Sequence, residues 1–186
     1  MGDSVMVAVT GLECFGYHGV FPEERENGQR FVVVLEMTLA GAGPWAGRHL
    51  AYAGAEVIRI ESRRYPDFLR AYVPPQDPEG GIDEQCSPFM VDWQGGKYSV
   101  GLEATRAEGR DLVLRLARLA DVFIDNHGVG ILEKLGLDYE ALRAERPDLI
   151  LVRMPGYGLE GPARDYLSFG LNLEAVSGTM HLTGHP

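Results

Sequence analysis

VVVLEMTLAGAGPWAGRHLAYAGAEVIRIE, residues 32–61, is the stretch whose reading decides the fold. An apolar run, VVVLEMT, leads into small residues; Pro44 then opens a short segment with an apolar face, and a second apolar run, EVIRIE, follows. This is the pattern of a β-α-β unit. Proline suits a first helical turn because its missing N–H would be unpaired there, and Gly54 stands where the helix should stop. The spacing predicts a helix from Pro44 to Tyr52, with Trp45, His49, Leu50 and Ala53 near its buried side. Ala40, Gly41, Ala42 and Gly43 would let backbone N–H groups approach an anion at the helix N-terminus. GxGxxG and the P-loop lysine-hydroxyl pattern are both absent, so these small residues alone read first as a tight turn.

Outward from this unit, composition sets the limits. A chain of 186 residues has room for one domain with a full core. Its 17 basic and 27 acidic residues leave a net charge of −10, which argues against a nucleic-acid partner. A polyanionic ligand would need local basic groups, for which Arg48, Arg59, Arg63, Arg64, Lys97 and Arg153 are candidates beside a purely solvated role. Cys14 and Cys86 fit a reducing compartment better than a disulfide scaffold. Neither a signal peptide nor an apolar run of about 18 residues is legible, so the expectation is a cytoplasmic protein with no membrane partner.

Toward the N-terminus, residues 4–13 alternate as a strand does. Pro22 to Glu26 can form one helical turn, and Asn27-Gly28 is a turn signal, so the segment reads as hairpin-like. Toward the C-terminus, Ser62 to Gly96 lose periodicity and read as a long surface loop, in which Trp93 is either a ligand contact or an anchor on the core. Thr105 to Glu108 form a Thr-x-x-Glu capping box before a helix through Leu119, with Leu112, Leu116 and Leu119 on one side. DVFID is the next strand, which places Asp125, Asn126 and His127 at the crevice where the parallel strands end. His127 reads more readily as packed or exposed than as catalytic, since no neighbouring acid is assured of orienting it. Residues 130–136 form a short helix, Asp138 caps another through Glu145, Pro147 stops it, and LILVRM is a strand. PGYGLEGP is a mobile loop, and Tyr166 to Gly178 form a last helix. His181 and His185 lack the helix and the glutamate a zinc site would need, so no metal is expected.

Four ordered blocks carry a resemblance to a known family: AGPWAGRHLAYAGAEVIRIE; WQGGKYSVGLEATRAEGRDLVLRLARLADVFIDN; GVGILEKLGLDYEALRAERPDLILVRMPGYGLEGP; and YLSFGLNLEAVSGTMHLTG. Together they resemble the class III CoA-transferases, over about residues 34–186. The resemblance implies a Rossmann-like, mostly parallel α/β sheet and transfer of CoA between carboxylic acids. Coenzyme A would be the ligand, acyl-CoA and small carboxylic acids the partners, and a homo-oligomer the assembly. It also implies contacts to CoA from Ala42, Gly43, Pro44, Arg63, Lys97, Asn126, Lys134, Gly156, Tyr157 and Gly158. Tyr98 stands where the family usually has arginine, His127 where it has phenylalanine, and Val129 where it has proline. Phe169 stands where racemase relatives carry a catalytic histidine, which favours transferase descent. The family's nucleophile is an aspartate beyond the HLTG motif, passing through an anhydride and then an aspartyl-CoA thioester. No catalytic residue is assigned among these 186, and the expectation is a truncated domain, inactive alone.

FGYHGVFPEERENGQRFVV resembles a second family, the dihydroneopterin aldolases, over about residues 4–39, with Glu24 where that family has an active-site glutamate. The two resemblances overlap at residues 31–39. The expectation is therefore a chimera: residues 1–33 an aldolase-like strand-loop-strand, residues 34–186 the CoA-transferase part. A folate-pathway aldolase and a nonenzymatic CoA-binding or assembly module remain as alternatives.

Overall fold

The computed structural model describes residues 15–16, 29–30, 32–71 and 87–184. Two short strands, β1 (Phe15–Gly16) and β2 (Gln29–Arg30), pair antiparallel, in keeping with a hairpin-like start. Strand 4–13, the Pro22 turn, Glu24, both cysteines and His185 lie outside the described residues.

The decisive stretch folds as β3 (Val33–Met37), α1 (Ala42–Tyr52) and β4 (Glu56–Glu61). The helix starts two residues before Pro44, and Gly54 closes it at φ 98°, a conformation that favours glycine. The buried side of α1 differs from the expected one. Gly43, Pro44 and Gly47 are buried, whereas Trp45, His49 and Ala53 are exposed. An added Cβ on Gly47 would lie 1.7 Å from Glu36 Oε2, so α1 packs through its glycines onto a polar strand residue.

The expected long loop is shorter than its composition suggests, because a 3-10 turn (Phe68–Ala71) and helix α2 (Pro88–Trp93) lie within it. Then come β5 (Tyr98–Gly101), α3 (Ala107–Ala117), β6 (Val122–Asp125), α4 (Ile131–Leu135), α5 (Tyr139–Glu145) and β7 (Ile150–Arg153). Asp138 caps α5, accepting from Ala141 N at 2.9 Å. The Thr-x-x-Glu box does not form. Thr105 Oγ1 donates to Glu103 Oε1 instead, and α3 begins after Arg106 with no side-chain cap. The last segment is two short helices, α6 (Gly170–Val176) and α7 (Thr179–Thr183), not one running from Tyr166.

β5, β4, β3, β6 and β7 form one wholly parallel sheet in that order. Alternate residues serve its two faces. Val33, Leu35, Ile58, Ile60 and Phe123 pack with Leu102 and with Val113 and Leu116 of α3, while Val34, Val57 and Ile124 meet α1. Each fully buried side chain of this kind contributes roughly 1.5–3 kcal/mol, so the sheet is well fixed. The strand order reverses between β3 and β6, and the ends of these two strands open the crevice in which such sheets hold ligands.

Candidate functional site

Both strands stop at polar residues that tie the crevice together. Asn126, just past β6, accepts from Leu39 N at 2.8 Å and donates to Leu39 O at 2.6 Å, clamping the loop that follows β3. An added Cβ on Gly43 would come within 2.5 Å of Thr38 Cγ2 and 3.1 Å of Asn126 Cγ. Glycine is therefore required here for the close approach of helix to strand ends. Ala40 sits at φ 48°, unusual outside glycine, its N–H held by Asp67 Oδ2 at 3.1 Å.

Beside this seam lies a cleft of about 600 Å³. Its floor is Met37 to Leu39 and Ile60; one wall is the turn from Leu102 to Ala107 that enters α3, the other His127 with Ile131, Lys134 and Leu135 of α4. Three basic side chains reach it: Arg106, Arg110 and Lys134. Among the described residues, Arg110 has only a loose, exposed pairing with Asp111 at 3.8 Å. Arg106 and Lys134 have no ion pair among the described residues. Two acids also line the cleft, and both are engaged. Glu61 is bound by Arg59 and Arg70. Glu103 accepts from Thr105 Oγ1 at 2.7 Å and Ser62 Oγ at 2.8 Å, and these hydroxyls hold its carboxyl below the usual range.

His127 has an orienting acid after all. Asp125, fully buried, takes both the His127 backbone N–H, at 3.1 Å, and ring Nδ1, at 2.7 Å, on the same oxygen. Arg153 Nε stands 3.6 Å from the other oxygen, and its Nη1 is 2.7 Å from Glu133 Oε1.

The α1 face of the sheet carries a different set of charges. Lys97 Nζ, 1% exposed, meets Glu36 Oε2 at 2.7 Å, Pro44 O at 2.8 Å and Gln94 Oε1 at 3.0 Å. Burial pulls the Lys97 ammonium below its ordinary range, with Glu36 opposing. Arg59, 2% exposed, bridges Glu61 at 2.7 Å and Asp67 at 3.1 Å. Each cation here has a carboxylate partner.

Of the ten residues that the sequence proposes as CoA contacts, only Lys134 lines the main cleft. Asn126, Gly43 and the buried Pro44 shape its seam. Ala42 and Arg63 are exposed, and Lys97 is turned inward to Glu36. Gly156, Tyr157 and Gly158 lie in the loop after β7, where Tyr157 packs edge-on against Tyr166 with ring centres 6.0 Å apart. Trp93 sits on α2 between Trp45 and Phe89, at 6.1 and 5.2 Å. Sequence reading overlooked Arg106, Arg110, Ser62 and Glu103. A signal for the first two was available: basic residues four apart at a helix start. No group of three or more His, Cys, Asp or Glu fit to hold a metal occurs among the described residues.

A parallel sheet flanked by helices, with its strand order reversing beside a cation-lined cleft at its carboxyl edge, defines an α/β fold. The chain belongs to CoA-transferase family III, whose model matches residues 31–186. It is 38% identical over 153 residues to the succinate–glutarate CoA-transferase of Agrobacterium fabrum, a match covering 82% of this chain and 38% of that protein. Against the human succinyl-CoA:glutarate CoA-transferase the identity is 33%, over 82% of this chain and 34% of the relative. Among solved structures, a hypothetical protein from Mycobacterium tuberculosis superposes with a TM-score of 0.72 at 34% identity, over 83% of this chain and 40% of that one. A CAIB/BAIF family protein from Brucella suis gives 0.71 at 37% identity, with the same coverage. The chain thus spans about two-fifths or less of the length of these relatives. The first thirty residues stand outside the family match.

Proposed function

We propose that these residues bind CoA and its thioesters in the cleft at the ends of β3, β4 and β6, as the CoA-holding part of a CoA-transferase. The observation that carries the reading is the set of basic side chains there, Arg106, Arg110 and Lys134, gathered on a chain of net charge −10. A cluster of one sign at the carboxyl edge of a parallel sheet suits a phosphate-bearing ligand. Asn126 and Gly43 shape the edge of that cleft, and Lys97 acts on it through Glu36 and the end of β3. The PGYG loop and Arg63 remain as further contacts to the bound thioester.

The relatives' names favour short dicarboxylates as the acids exchanged, with succinyl-CoA as a donor. In such a reaction a carboxylate attacks the thioester carbonyl, the C–S bond breaks, and the thiolate leaves. Glu61 and Glu103, the two carboxylates lining the cleft, are both committed to neighbours. We therefore propose that the 186-residue chain binds CoA without turning it over. Calorimetric titration with CoA is expected to give a Kd on the order of 0.1–1 mM, and neopterin to give none. Lys134→Ala should weaken CoA several-fold. Binding of neopterin in preference to CoA would support the aldolase alternative. CoA transfer from succinyl-CoA to glutarate at the rate of a full-length relative would refute the inert reading.

We also propose self-association. Leu167, Leu171, Val176 and Leu182, on and beside α6 and α7, are at least 70% exposed and mark an apolar surface. Light scattering at tens of micromolar should find species larger than a monomer; a clean monomer would count against it.

A further inference from the structure

We propose that His127 is a ligand-contacting group of the cleft, an imidazole aimed by Asp125 so that its Nε2 meets an anionic oxygen of the bound molecule. The inference rests on the CoA-binding reading above and adds a specificity-determining residue to it.

Three observations support it. Asp125 is buried, and the hydrogen bonds of its side chain all go to His127: one oxygen receives both the backbone N–H and Nδ1, while the other has no hydrogen-bond partner among the described residues. A carboxylate placed in this way fixes the orientation of the ring. Next, His127 lines the cleft, and with Nδ1 engaged the nitrogen left for a ligand is Nε2, which has no protein partner among the described residues. Finally, the opposite wall is the start of the eleven-residue helix α3, whose first turn carries no side-chain cap. Its dipole favours negative charge in the same space.

The charges around the ring are mixed. Arg153 of β7 faces Asp125 and is itself paired with Glu133 of α4. Across the cleft stand Arg106, just before α3, and Arg110 of α3, while Lys134 of α4 shares the wall of His127 and Glu61 and Glu103 are tied to their own partners.

Two sources could supply the anionic oxygen: a phosphate of CoA or the free carboxylate of an acid substrate. Calorimetry of the wild-type chain and of His127→Phe with CoA and, separately, with glutarate distinguishes them. The expected result is that one of these ligands binds the variant roughly tenfold more weakly, as the loss of one hydrogen bond to an anionic oxygen allows. The other ligand should bind both proteins alike. Because the variant could fold poorly, the ring signals of His127 in the unmodified protein provide a second readout: by NMR, they should shift on adding the ligand that His127 contacts. Affinities for CoA and glutarate unchanged in the variant, with ring signals unmoved by either ligand, would overturn the inference and leave the CoA reading intact. No binding of CoA would overturn both.

Discussion

The two faces of the sheet use the same charged residue types to opposite ends. On the α1 face, Lys97 is matched by Glu36, and Arg59 by Glu61 and Asp67, all nearly withdrawn from water. At the cleft, on the α3 and α4 side, Arg106 and Lys134 stay exposed and unmatched among the described residues, while the local acids are spent on hydroxyls and on other arginines. Buried charges must be paired because desolvation is costly, whereas cations left in a wet cleft remain available to a ligand. Residue type alone therefore does not separate scaffold from site. Whether a cation already has its counter-ion does.

The sharpest way to break this contrast is to remove one partner from the sealed side. Lys97→Met leaves the Glu36 charge buried and unpaired, and should destabilise the fold by about 3–5 kcal/mol, read as a drop in the urea midpoint. Adding Glu36→Gln should recover much of that loss. If the single variant costs nothing, Lys97 is not the internal counter-ion described above. A smaller effect is expected from Gly47→Ala, whose methyl would meet Glu36 Oε2 at 1.7 Å. Overpacking of this kind costs roughly 1–3 kcal/mol, so thermal denaturation should show a lower midpoint than in wild type.

These two positions also mark where the sequence was legible and where it was not. The β-α-β unit, the Gly54 stop, the Asp138 cap and the strand DVFID follow from local rules of periodicity and capping, and they stand in the structure as read. The buried side of α1 was misread because apolar residues were assumed to face inward. Glycine was needed there instead, since the surface beneath is the Glu36–Lys97 pair. That pair joins residues 61 apart in sequence, a distance that no local pattern spans. The Thr-x-x-Glu box failed for a related reason: Glu103, two residues upstream, captures the Thr105 hydroxyl that would have capped α3. Asp125 and His127 are only two residues apart, yet their contact depends on the turn taken as β6 ends, so sequence alone left the imidazole without its acid.

Acid provides a graded test of the arginine-paired Glu61, which joins the sealed side to the edge of the cleft. Burial pushes the Glu61 carboxyl up, but the Arg70 guanidinium and the charge of Arg59 outweigh it and hold the carboxyl below the usual glutamate range. A carboxylate with a depressed folded-state value contributes stability that is complete above the unfolded value, about 4.3, and is lost as pH falls through the folded one. Stability from this group should therefore decline below about pH 4.3, and Arg70→Leu should remove part of that decline. An unchanged acid profile in the variant would argue against the Arg70 pairing. On the open side the effect on stability should be smallest. Arg106→Ala is expected to change stability by no more than about 0.5 kcal/mol, while CoA affinity falls several-fold. Loss of fold in that variant would place Arg106 with the scaffold.

The contrast between the faces is tested most directly by following backbone amide signals of the 15N-labelled chain as CoA is added. The account predicts shifts concentrated at the cleft, in Thr38 and Leu39, from Glu103 to Arg110, at His127 and from Ile131 to Leu135, with little change around Gln94 and Lys97. Shifts centred on Gln94 and Lys97, or no shifts at millimolar CoA, would contradict it.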